Sequence, residues 1–346
     1  MKLLETLYKV SSPSGMEDKM IRFITGRLRQ LNVDYSVDEY GNIYATKGIS
    51  ETYPCVVAHT DEVHDGHKKS FEVITLQNDI IFGYNNVTKQ FAGIGADDKN
   101  GIWVCLKCLQ EFDVLKCAFF VEEERGCIGS GKADMSFFED CRFVLQCDRR
   151  GNNDFITRIN GVKICSEEFV RAAGLKEYRY KPSEGMLTDV FTLKRNGLKV
   201  SCVNISCGYY EPHTDNEFTV IRDLNNCQAL VRHIIADCTE VYPHEYSAPT
   251  YHRTYNWGRF GMFDDDFDCP GSSIGYAASS KVAPASYWDY SRQYEELVNL
   301  LTDEFPTVGG YTADELWAKQ EEFPALRRVD FLNAYMEVMG CAPINS

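Results

Sequence analysis

The chain has 346 residues, of which 44% are hydrophobic and 25% charged, and its formal net charge is −15. That length suits one large domain or two modest ones with an ample core, in a composition ordinary for globular proteins. The acidic balance excludes a nucleic-acid partner, which needs a basic surface, and no stretch approaches the ~20 apolar residues that span a bilayer.

In chain order, residues 1–10 read as an amphipathic helix. Glu5 and Lys9 interrupt the only apolar stretch that a signal peptide could use, so a cytoplasmic location is expected. Residues 54–58 form an apolar run ending at His59-Thr60-Asp61. A Gly-Ile-Gly-Ala turn then reaches Asp97-Asp98, and residues 99–112 carry a helical pattern starting beside Asp97. Its N-terminal dipole favours negative charge there. The run 117–121 meets Glu122-Glu123-Glu124-Arg125-Gly126, and the run 143–147 meets Asp148. Residues 188–196 look helical and stop at Gly197, a C-cap signal. The run 200–205 leads through a loop to His213, and residues 221–238 repeat apolar positions at helical spacing. Residues 243–285 are irregular and hold the acidic stretch Asp264 to Asp268, before helical patterns return over 287–305, 312–323 and 325–339.

Apolar runs alternating with helices predict an α/β fold, a three-layer α/β/α arrangement on a mixed, mostly parallel sheet. A catalytic domain over residues 1–242 and a mainly helical C-terminal extension over 243–346 are expected. The fourteen cysteines are scattered through predicted strands and helices and read as small buried hydrophobes in a reducing compartment. Cys105 and Cys108 have no second pair with which to build a structural zinc site.

Five residues of metal-ligand type therefore border buried runs in the order His59, Asp97, Glu124, Asp148, His213. Divalent cations of the zinc class take imidazole nitrogen and carboxylate oxygen. Five protein groups suffice for two ions if one carboxylate bridges them. Soft thiolate is absent from the set, so zinc, cobalt and manganese all suit it.

These segments, with residues 10–17 and 38–43, resemble the co-catalytic di-zinc exopeptidases, a group of aminopeptidases, tripeptidases, carboxypeptidases and acyl-amino-acid deacylases. The resemblance runs over residues 1–238. It implies that His59 and Asp148 bind one metal, Glu124 and His213 the other, and that Asp97 bridges them, with a cis peptide at Asp97-Asp98. It further implies that Asp61 fixes the His59 tautomer, and that Glu123 is the general base toward a metal-bridging water. The third glutamate, Glu122, leaves room for a one-residue slip. The stretches 60–96 and 149–212 are too short for an inserted lid domain of about 100 residues.

The implied activity is hydrolysis of peptide bonds near a free terminus of short peptides, with an aminopeptidase preferred. A dipeptidase, carboxypeptidase or N-acyl-amino-acid deacylase on the same site is the alternative, and a metal-free binding module is the alternative from another class. Asp189, in a Thr-Asp segment, and Arg149 and Arg150, directly after Asp148, are candidate substrate contacts. The first also reads as a helix N-terminal acid and the pair as a solvated turn. His64 and His67 lie near enough to the first ligand to touch substrate, but loop histidines are usually solvated, as is expected of His233, His244 and His252. The Asp264 to Asp268 stretch lacks the glycine and glutamate of an EF-hand loop and reads as a solvated turn. The sequence leaves oligomeric state open.

Overall fold

The computed structural model describes residues 1–65, 70–77, 79–247, 287–308 and 311–338. His67, His252 and the Asp264 to Asp268 stretch lie outside them.

The main sheet runs, in spatial order, through Asp34–Val37, Ile43–Lys47, Leu115–Phe120, Tyr53–His59, Cys141–Arg149, Cys202–Ser206, Asp154–Ile159 and Val162–Lys163, and Lys181–Gly185 pairs with Asp154–Ile159. Tyr53–His59 is parallel to both neighbours, and Cys202–Ser206 is parallel to Cys141–Arg149. The margins are antiparallel, except that Lys181–Gly185 runs parallel to Asp154–Ile159. The four central parallel strands therefore end on one edge, where ligands of open α/β sheets gather.

The central strands are apolar without interruption because both faces are covered. Val56, Ala58, Phe119, Phe143 and Leu145 point into a core beneath the helices Lys2–Tyr8, Asp18–Gln30, Ala96–Glu111 and Ile221–Asp237. Their strand neighbours Cys55, Val57, Ala118, Phe120 and Val144 point into the opposite core with Val190, Phe191 and Leu193 of the helix Asp189–Arg195. This is the period-two alternation of a strand, here with two dry faces. Twelve free cysteines are buried among the described residues, as expected of small hydrophobes. Cys105 and Cys108 belong to none of the potential metal-ligand groups there.

Not anticipated from the sequence was a second, antiparallel sheet, built from Phe71–Leu76, Ile80–Asn85, Gln90–Ala92, Tyr209–Tyr210 and Phe218–Val220. Phe82 and Phe218 of this sheet share an apolar core with Leu297, Leu301, Leu316, Phe331 and Tyr335. Those residues come from the C-terminal helices Tyr287–Val308, Ala313–Ala318 and Arg328–Val338. Thr312 and Glu315 form a capping box on the second of these, and Ala313 donates its N–H to Asp79 Oδ2 at 2.7 Å. Among the described residues no helix is long and apolar enough to cross a membrane.

Candidate metal centre

Register brings the first two groups together. On adjacent parallel strands Val57 stands opposite Gln146, so His59 and Asp148, each two residues further on, leave the sheet side by side. His59 Nε2 lies 3.7 Å from Asp148 Oδ1 and 3.1 Å from Asp97 Oδ1. Opposite, His213 Nε2 lies 3.3 Å from Asp97 Oδ2 and 3.0 Å from Glu124 Oε1. Two three-residue groups thus form, His59 with Asp97 and Asp148, and Asp97 with Glu124 and His213. Asp97 is common to both, offering one oxygen to each side.

Each position has a local cause. Gly95, at φ +60°, turns the chain into Asp97, and a Cβ there would fall 2.1 Å from Glu62 Oε2. Asp97 and Asp98 are non-helical and the bond between them is cis, so the regular helix starts at Lys99. Asp98 Oδ1 accepts the Gly101 N–H at 2.9 Å as a cap, while its Oδ2 accepts the His59 N–H at 3.2 Å. Asp148 is clamped by Asn204, whose Nδ2 donates to the Asp148 carbonyl at 2.8 Å and whose Oδ1 accepts the Asp148 N–H at 2.9 Å. His213, 39% exposed, stands on the rim of the site at φ +63°.

Asp61 organises the other side of His59. Its Oδ1 lies 3.2 Å from His59 Nδ1 and accepts the Glu123 N–H at 2.9 Å. Its Oδ2 accepts the Glu124 N–H at 3.1 Å and the Ser14 hydroxyl at 2.7 Å. One buried carboxylate therefore sets both the imidazole and the glutamate turn. Glu122, at φ +50°, faces away, its Oε1 accepting from Arg125 Nη1 at 2.7 Å. Glu123 and Glu124 instead group with His59.

The electrostatics ask for cations. With His59 Nδ1 turned to the Asp61 side chain and carbonyl, a neutral ring presents its Nε2 lone pair to carboxylate oxygens. That contact is repulsive without a proton or a metal between them. Burial works against a charged His59 ring, but Asp148, Asp61 and Asp97 outweigh it and hold its pKa well above the usual value. Asp97 and then Glu124 hold His213 up to about 11. Burial would raise Asp97, yet His213 and His59 hold it low. Burial, and then the Asp97 charge, push Asp148 up. Burial pushes Glu123 and Glu124 up as well. Two imidazoles cannot neutralise so many buried carboxylates, whereas divalent cations can. The donor set fits the pair of ions expected.

Among the remaining expected residues, Asp189 is fully buried behind Glu123, its Oδ2 accepting from Gln146 Nε2 at 3.2 Å, and burial raises its pKa to about 6. Cys127 Sγ donates to Glu123 Oε1 at 3.3 Å. Arg149 Nε pairs with Asp154 at 3.4 Å, and Arg150 is exposed. His64 is not the solvated loop histidine expected: its side chain is 14% exposed and its Nε2 lies 3.3 Å from Glu217 Oε2. His233 pairs with Asp237 on its own helix, and burial lowers the His244 pKa to about 4.

Glu217 is a support that sequence reasoning missed. It is buried, and its Oε1 accepts the Asp97 N–H at 3.1 Å while its Oε2 accepts the Ile94 N–H at 3.2 Å. Glu217→Ala strands both donors. A loss of at least about 2 kcal/mol in unfolding free energy is expected by denaturant titration, and an unchanged midpoint would contradict this role.

No family model matches the sequence, and no curated protein matches it. Solved structures do share its fold. An aminopeptidase from Bacillus cereus aligns with a TM-score of 0.55 at 14% identity, over 68% of this chain and 96% of that one. A tripeptidase from Staphylococcus aureus gives 0.54 at 14% identity, over 68% and 96%. An aminopeptidase from Desulfurococcus kamchatkensis gives 0.53 at 18% identity, over 68% and 93%. The chain has the α/β fold of these exopeptidases, and about a third of it lies outside the match.

Proposed function

We propose that the protein is a di-metal exopeptidase that removes residues from a free end of short peptides, acting as an aminopeptidase. One observation carries this reading above the others: the two oxygens of Asp97 face two separate histidine–carboxylate groups. His59 and Asp148 would hold one divalent ion, Glu124 and His213 the second, and Asp97 both; zinc, cobalt and manganese suit these ligands. When bound, the ions supply Lewis-acid polarisation of the scissile carbonyl and acidification of water.

The chain's own part is proton handling and orientation. Glu123 takes the proton of the attacking water and passes it to the leaving amine. Burial and the neighbouring carboxylates raise its affinity for that proton. Asp61 holds His59 and the Glu123–Glu124 turn in one register. On this reading residues 1–242 carry the catalytic machinery without an inserted lid, and 243–346 form an extension. A second reading, dipeptidase or carboxypeptidase, draws on Arg149 and Arg150 as grips for a terminal carboxylate.

The test is a panel of short peptides with free or blocked ends, incubated with added zinc, cobalt or manganese and read by mass spectrometry. Loss of the first residue from peptides with a free N-terminus is expected, stopped by N-acetylation and by chelator. Trimming from the C-terminus alone would replace this reading with the second. Absence of cleavage together with less than one bound metal per chain would remove the enzyme reading altogether.

A further inference from the structure

A cavity of about 580 Å3 opens where the turn after Asp148 meets the C-terminal helices. Four guanidinium groups line it: Arg149 and Arg150 from the main sheet, and Arg327 and Arg328 from the start of the last helix. The cavity is open to solvent, and a volume of this order admits a small ligand. Only two carboxylates, Asp154 and Glu211, share the lining, so the wall is locally cationic in a chain of net charge −15. The overall field repels anions, and a positive patch must be assembled residue by residue against it.

Among the described residues, two of the four arginines have carboxylate partners and two do not. Arg149 meets Asp154 at 3.4 Å and Arg327 meets Asp330 at 3.5 Å. Arg328 lies over the rings of Tyr210, 4.5 Å from its centroid, and Trp317, 5.2 Å from its centroid. Such stacking fixes a guanidinium's plane and leaves its charge in place. Among the described residues no carboxylate comes within ion-pair distance of Arg150 or Arg328.

The cavity adjoins the metal centre. Arg150 is two residues past Asp148, and Glu211 two before His213. Two trans peptides span at most about 7.6 Å between Cα atoms. Arg149 also lines a smaller cavity of about 70 Å3 together with Asp148, Thr188 and Asn204. A short peptide with its scissile bond at the metal centre would therefore extend its far end toward the arginines.

We propose that this arginine wall binds a carboxylate of the peptide substrate, so that the C-terminal helices confine the enzyme to short peptides carrying a negative charge beyond the scissile bond. The proposal rests on the peptidase reading. It requires only the planar, bidentate match of guanidinium to carboxylate, supplied by the peptide terminus or by an acidic side chain.

The test measures binding on the full chain, so turnover is not needed. Acetyl-Ala-Ala, its C-terminal amide and acetyl-Ala-Glu amide are titrated calorimetrically against the protein and against Arg150→Gln and Arg327→Gln, both at exposed side chains. At least one carboxylate ligand is expected to bind about tenfold more tightly than the uncharged amide, the scale of one charge-assisted contact, with the advantage falling in both variants. Preference for the free acid assigns the terminal carboxylate, and preference for the glutamyl amide assigns the side chain. Equal binding of all three, or an advantage untouched by both substitutions, overturns the proposal. A protein that shows the preference but cleaves no peptide would overturn the peptidase reading instead.

Discussion

Glu123→Gln should lower kcat by roughly 10²–10⁴-fold, the usual contribution of a positioned general base, while metal content and fold stay as they were. The substitution keeps the shape of a side chain that accepts the Cys127 thiol at 3.3 Å and leaves untouched the Glu123 backbone N–H that ties the turn to Asp61. What it removes is the ability to take a proton. The neighbouring glutamates provide the controls. Glu124→Gln weakens a group 3.0 Å from His213 and should lose metal along with activity. Glu122→Gln touches only the ion pair with Arg125 at the surface and should be near neutral, since such pairs contribute about 0–1 kcal/mol. Full turnover in Glu123→Gln, measured with metal content confirmed, would remove Glu123 from the role of base.

That triplet also marks the limit of what the sequence disclosed. Three consecutive glutamates after a buried strand carry no periodicity by which to choose among them. The choice lies in the backbone, where a left-handed Glu122 turns its carboxylate outward. His59 and Asp148 were easier to find because each is a polar residue at the end of an apolar run, and parallel neighbours end on the same edge. Two supports were present as a signal but unread. Gln146 and Asn204 are buried amide side chains inside otherwise apolar strands, a placement that demands hydrogen-bond partners. The second sheet was hidden for another reason. Three of its five strands have only two or three residues, and the core that stabilises Phe82 and Phe218 is completed by Leu316 and Phe331, far along the chain. The C-terminal helices were legible one by one from their spacing. Their docking surface is a tertiary property that no local pattern carries.

Asp97→Ala should cost the protein both ions at once, because its Oδ1 faces His59 and its Oδ2 faces His213. Metal content is expected to fall from about two equivalents to well below one, with activity lost and not restored by excess zinc, cobalt or manganese. His213→Ala, on the rim, should retain the ion held by His59 and Asp148. The same site predicts the direction of the pH dependence. Carboxylate neighbours hold His59 and His213, the latter to about 11, above the ordinary imidazole value, which favours the protonated ring at both while no metal is bound. A cation must displace those protons to reach the nitrogens. Uptake should therefore release protons, and apparent affinity should rise with pH throughout the neutral range. Calorimetric titration of zinc in two buffers of different ionisation enthalpy reads the release directly. Uptake without protons, or affinity that weakens from pH 6 to pH 8, would mean that the metal does not bind through these imidazoles, and the two-ion arrangement around Asp97 would fail with it.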